Sequence, residues 1–158
     1  MGSETLQSQA ALAQIMGAIQ ASPFANGLII EVPHVVLAGL GESGLEGLAR
    51  LARQGLVFAL SNASIVGLDL DAMKILNVKL VGLNAASISG GAPSETLLGF
   101  AQLARLARVN IYVTDVTNPA SVAPLSAFSR LACGPCFAAP RRVKRASDLA
   151  QAATAMAA

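Results

Sequence analysis

The residues of this chain best suited to chemistry are two thiols three positions apart, Cys133 and Cys136, in the stretch "LACGPCFAAPRRVKR". A Cys-Gly-Pro-Cys spacing suits disulfide exchange, provided that a helix N-terminus or a nearby cation lowers one thiol pKa enough to supply the attacking thiolate. That chemistry defines one function class, a thiol-dependent oxidoreductase using Cys133 and Cys136. Zinc fits less well, because the single histidine, His34, is far away in the chain and two thiols plus one imidazole do not make four ligands. His34 follows Pro33 with no second His or Cys beside it. Arg141, Arg142, Lys144 and Arg145 form a basic run able to contact phosphates or an acidic partner, although such runs are more often solvated helix entries.

These groups need elements to hold them. The 158 residues suit one domain with a substantial core, since 54% are hydrophobic and 13% charged. With no Trp, five Phe and one Tyr, that core must be aliphatic. A net charge of +2 gives no case for nucleic acid. The most apolar stretch, Phe24–Leu40, is interrupted by Glu31, Pro33 and His34 and is too short and polar to span a bilayer. No basic segment precedes an apolar run at the N-terminus, so the expected compartment is the cytoplasm, where cysteines stay reduced.

Periodicity alternates along the chain. Ser3–Ala21 carries apolar residues at helical spacing, and "GLIIEVPHVVL" begins with a strand over Leu28–Val32. A helix follows from Glu42, ending at Gly55, and then come strand "LVFAL", helix "DLDAMKIL" and strand "VKLVGL". Pro93-Ser94-Glu95 opens the helix "PSETLLGFAQLARLAR". Strand "VNIYVTD", helix "NPASVAPLSAFSRL", strand "ACGPCF" and a closing helix "RASDLAQAATAMA" complete the series. Repeated β-then-α order with continuously apolar strands indicates an α/β domain of about five parallel strands, covered on both faces. An N-terminal helix occupies 1–26 and the α/β unit 27–158, in one domain. In a thioredoxin-type fold the Cys pair opens a long helix, whereas here Pro140 breaks the segment C-terminal to Cys136. Both cysteines are therefore expected to be small, buried, reduced residues at a strand end.

From Leu28 onward the chain resembles the C-terminal two-thirds of an EAL domain, the cyclic-di-GMP phosphodiesterase family. "LIIEVPHVVL" looks like that family's L-E-x-T-E-S strand, and "GLEGLARLARQGLVFALSNAS" is similar to the helix and strand ending in D-D-F-G. "DLDAMKILNVKLVGLNAASI" looks like the stretch ending in K-I-D, and "LARLARVNIYVTDVTNPASV" like the one ending in E-G-V-E. "LACGPCFAAP" falls on the last strand, Q-G-Y-x-F-x-x-P, with Gly134, Phe137 and Pro140 in register. The resemblance implies a partial or modified TIM-type (βα) barrel with about five parallel strands; an open parallel α/β sheet is the alternative.

In that family, carboxylates and an Asn at the strand mouths hold two metal ions that activate water for attack on a phosphodiester. The alignment keeps Glu31 at a ligand position. It puts His34 at the next Glu, Ser61-Asn62 at the Asp pair, Gly82 at the catalytic Lys, Thr114 and Thr117 at the Glu residues of E-G-V-E, and Cys133 at the Gln. The strands carrying Glu-Ala-Leu and the metal-binding Asn have no counterpart. One carboxylate among neutral Ser, Asn and Thr does not offset two divalent charges. The resemblance thus implies a catalytically inactive signalling domain, without metal or cofactor, acting through protein–protein contacts, with residual cyclic-di-GMP sensing through Glu31, Asn62 and Asp115. Its nearest likeness is to the degenerate EAL domains of TipF-type flagellar-assembly receptors. Catalytic members pair through the region after K-I-D, here Ala85–Arg108, so Leu97, Leu98 and Leu106 are the expected surface for a protein partner or a homodimer. The oxidoreductase using Cys133 and Cys136 remains the alternative.

Overall fold

Residues 3–22, 27–88 and 93–138 are described by a computed structural model. Two short helices, α1 (Ser3–Gln7) and α2 (Gln9–Gln20), replace the single helix expected over Ser3–Ala21. The break is at Ser8, whose extended backbone (φ −93°, ψ 110°) lets its hydroxyl accept the Ala11 amide. Capping satisfies an otherwise orphaned N–H, and serine does this better than it continues a helix. Both helices are anchored, with Leu6 and Leu12 buried.

Then come β1 (Ile29–Pro33), α3 (His34–Ala38), α4 (Glu42–Arg53), β2 (Val57–Ser61), α5 (Leu70–Ile75), β3 (Val78–Asn84), α6 (Glu95–Leu106), β4 (Asn110–Thr114), α7 (Val122–Leu125) and β5 (Leu131–Ala132). Capping chemistry marks the helix ends. Asp69 accepts the Asp71 and Ala72 amides ahead of α5, and Ser94 accepts the Leu97 amide ahead of α6. Gly55, at φ +92°, closes α4 with paired bonds from its own N–H to the Ala52 carbonyl and from Leu56 to Leu51. The long helix expected over "NPASVAPLSAFSRL" is reduced to a 3-10 turn, Pro119–Ser121, and the four-residue α7.

The five strands form one sheet in the order β1-β2-β3-β4-β5, and every neighbouring pair is parallel. Right-handed crossovers in an order that never reverses put successive helices on the same face. A doubly wound sheet reverses its order partway. This winding is that of a TIM-type barrel left incomplete at five strands, not of an open two-faced sheet. Burial agrees. On the helix side Val32, Leu60, Val81, Leu83, Ile111 and Val113 are all buried, in one cluster with Leu48, Leu51, Met73, Leu97 and Phe100 from the helices. On the other face Ile29, Glu31 and Leu131 are exposed, and Leu80 and Tyr112 half-buried. Ala59 and Gly82, in the central strands of that face, are buried, so coverage on both faces, expected from the apolar strands, is complete on the helix side and fails at the edge strands of the other. The second face is apolar because it is the lumen side of a barrel.

Candidate functional site at the strand mouths

Register brings five lumen-side residues together. Glu31 lies opposite Ala59, Ala59 opposite Leu80, and Gly82, two residues on, opposite Tyr112. The Tyr112 ring lies over Gly82 so closely that a Cβ there would sit 2.3 Å from Cζ. From that position its hydroxyl donates a long hydrogen bond to Glu31 Oε2 at 3.4 Å, with the Leu60 carbonyl at 3.5 Å. Burial, then the Glu31 charge and hydrogen bond, then Cys133, push the Tyr112 phenol up to about 12. Tyr112 was not singled out in the sequence. The signal that points to it is Gly82, since a glycine inside a strand often marks the close approach of another group.

Asn62 and Asp115, the first residues beyond β2 and β4, both turn into the left-handed region, at φ 49° and 57°. Asn and Asp tolerate that conformation better than other non-glycine residues. Asp115 is tied to its neighbours: Asn84 Nδ2 donates to Asp115 Oδ2 at 2.8 Å, and Thr114 Oγ1 lies 3.3 Å from the same oxygen. Asn84, also missed in the sequence, uses its other end to accept the Ala86 amide. Asn62 borders a cavity of about 470 Å³ with Ser64, Asn84, Ser87, Leu83 and Leu97. Its lining offers amides and hydroxyls but no charge. His34 Nδ1 accepts the Ser64 amide at 3.3 Å, so its imidazole joins the β1 and β2 loops.

Of the three residues read as a residual ligand set, Asn62 and Asp115 are linked through Asn84, which lines the Asn62 cavity and donates to Asp115, whereas Glu31 pairs with Tyr112. Glu31 is engaged by Tyr112, Asp115 lies five residues beyond Asn110, which registers through Leu80 and Ala59 with Glu31, and Asn62 lies at the cavity. The residues do not fit a pair of divalent metals: among the described residues no group of three or more His, Cys, Asp or Glu is placed to hold one. Divalent hard cations take several oxygen ligands, most of them carboxylates.

Two further expectations are corrected. Cys133 is exposed and Cys136 half-buried, so neither is a core residue; the strand end they occupy is a short edge that nothing covers among the described residues. A turn, not a helix, succeeds them through Phe137. On α6, Leu97 is buried at 4% exposure and packs inward, and Leu98 is half-buried, whereas Leu106 is 82% exposed and Leu103 55%. The surface offered by α6 is therefore Leu103 and Leu106, one turn apart. Arg141, Arg142, Lys144, Arg145 and the closing helix lie outside the described residues.

The fold is that of EAL domains. No family model matches the chain, and no curated protein matches its sequence. Solved structures do. The phosphodiesterase PaMucR, in a c-di-GMP complex, superposes with a TM-score of 0.73 at 17% identity over 94% of this chain and 68% of its own. The FimX EAL domain of Pseudomonas aeruginosa, bound to c-di-GMP, gives 0.70 at 17% over 90% of this chain and 61% of its own. The Bacillus subtilis YkuI protein, with an EAL domain and in complex with substrate c-di-GMP and calcium, gives 0.63 at 17% over 94% and 41%. This chain thus spans between 41% and 68% of the length of these three.

Proposed function

We propose that this chain is a catalytically inactive EAL-like signalling domain that acts through protein contacts and keeps a sensing role for cyclic-di-GMP. The observation that carries the reading is the Tyr112 ring over Gly82. The resemblance puts the catalytic Lys at Gly82; here that position has no side chain, and the space above it is filled. Tyr112 also engages Glu31, the one carboxylate retained at a ligand position. Two metal ions, a lysine and an activated water would all need room and charge that these residues do not supply.

Sensing rests on what is left at the mouth. Asn62, Asn84, Ser64 and Ser87 give neutral hydrogen-bonding groups beside an apolar wall, the kind of lining that suits a nucleobase. Two of the solved neighbours hold c-di-GMP as a bound ligand and a third as substrate. The eroded metal motif and the Leu68-Asp69-Leu70-Asp71 helix start support a receptor role of the TipF type in flagellar assembly. The experiment is incubation with cyclic-di-GMP and magnesium or manganese, then chromatography. The dinucleotide should be recovered intact. Linear product above a protein-free control would overturn the inactive reading, and calorimetry showing no heat of binding at millimolar ligand would remove the sensing role.

A further inference from the structure

We propose that Cys133 and Cys136 form a reversible intramolecular disulfide, which makes the Cys133-Gly-Pro-Cys136 loop a thiol-modification site whose co-reactant is a low-molecular-weight disulfide. The loop is closed on a single residue of the neighbouring segment. The Cys133 carbonyl accepts the Val116 amide at 3.2 Å, and the Cys136 amide donates to the Val116 carbonyl at 3.1 Å. Both cysteine backbones are thereby bonded to one residue, Val116, which holds them near each other, as a disulfide's Cα separation of about 4.4–6.8 Å requires. Two features keep the loop in that shape. Gly134 presses on the Val116 backbone, where a Cβ would lie 2.3 Å from its nitrogen, and Pro135 fixes its own φ. The Cys133 amide is bonded in turn to the Val113 carbonyl at 2.8 Å, continuing the ladder from β5.

The two thiols are unequal in the way sequential exchange requires. Cys133 is exposed and open to a small oxidant, whereas Cys136 is half-buried and packs against the core. In the first step the Cys133 thiolate attacks one sulfur of the small disulfide; its S–S bond breaks, a mixed disulfide forms, and one thiol leaves with the proton Cys133 gave up. In the second, the Cys136 thiolate attacks the Cys133 sulfur and expels the second thiol. Two protein thiols are oxidised and one small disulfide is reduced to two thiols. No helix N-terminus adjoins the pair among the described residues to sustain turnover, so the loop is a substrate of exchange and not a catalyst of it. The disulfide does not depend on the proposed function. Asp115 adjoins Val116, so a cross-linked loop would stiffen the mouth from the β4 side.

The test is equilibration of the reduced full chain with oxidised and reduced glutathione, acid quenching, alkylation and peptide mapping. Oxidising mixtures should give a monomeric product with both cysteines protected from alkylation and linked to each other, fully reversed by dithiothreitol. Cys136→Ser should hold glutathione on Cys133, and Cys133→Ser should be modified several-fold more slowly. Wild-type cysteines that stay alkylatable in excess oxidised glutathione would overturn the proposal, as would a glutathione adduct that persists on the wild type or a disulfide formed only between chains. Because the decisive measurement is on the wild type, a variant that failed to fold would leave it intact.

Discussion

Gly82 and Tyr112 form a matched pair, since a ring lies where any other residue at Gly82 would put a side chain. Gly82→Ala places a methyl against the Tyr112 ring and should destabilise the chain by about 1–3 kcal/mol, the range for overpacking. Tyr112→Ala in the same background removes the clash, so the double variant should be more stable than the sum of the singles. Urea unfolding of the four proteins measures that coupling. Tyr112 also fixes a pH dependence. Its phenol, at about 12 when folded against 10.0 in a free tyrosine, keeps its proton after the unfolded chain has lost it. Its contribution to stability is whole below pH 10 and falls as pH rises toward 12. Glu31→Gln should move the phenolate absorbance midpoint toward 10, and an unchanged midpoint would leave burial and Cys133 as its causes. Glu31, Asn62, Asp115 and Gly82 enter from the sequence only through the family resemblance, which sets them at or beside motif positions. Tyr112 does not, because the direction in which a half-buried aromatic leans is decided by a gap in the next strand.

Helices are legible in the sequence where their ends carry explicit chemistry. Pro93-Ser94-Glu95 became the cap of α6, and Gly55 the stop of α4. The region after β4 reads as one helix by apolar spacing alone, and its helix breakers overrule that pattern. Pro119 and Pro124 interrupt it, and the Ser126 hydroxyl donates to the Ala123 carbonyl, competing with helical bonding. The same reasoning finds a weakness at the end of α6. Arg108 occupies a left-handed position (φ 59°), with Val109 bonded to Ala104 and Arg108 to Arg105 as at α4, but without a glycine. A non-glycine residue there costs roughly 1–2 kcal/mol, partly offset in the unfolded chain. Arg108→Gly should therefore raise stability by up to about 1 kcal/mol, read as a higher urea midpoint at constant slope. A fall would mean that the Arg108 side chain contributes more than its backbone costs.

For the whole molecule, the α/β class and the five parallel strands are legible in the repeated β-then-α order, whereas the exposure of one sheet face at its edge strands is not, because an apolar lumen-side strand reads like one covered by helices. That face, the free edges of β1 and β5 among the described residues, and the α6 ridge are the apolar surface left to association. Unpaired strand edges and contiguous apolar patches are the features that proteins cover with partners. Of the three, the ridge fits a twofold contact best. Leu103 and Leu106 lie one turn apart on a helix, so a second copy can place the same pair against them. Sedimentation equilibrium at micromolar concentration should give a mass above that of the 16.0 kDa chain. Leu103→Glu with Leu106→Glu should return it to the monomer. Both side chains are exposed, so the pair of changes should alter unfolding free energy by less than about 1 kcal/mol. A monomeric wild type would exclude self-association. Association that survives the charges would move the contact to the open sheet, where Ile29→Lys and Leu131→Lys should then abolish it, since a buried unpaired ammonium costs far more than either leucine-sized contact returns.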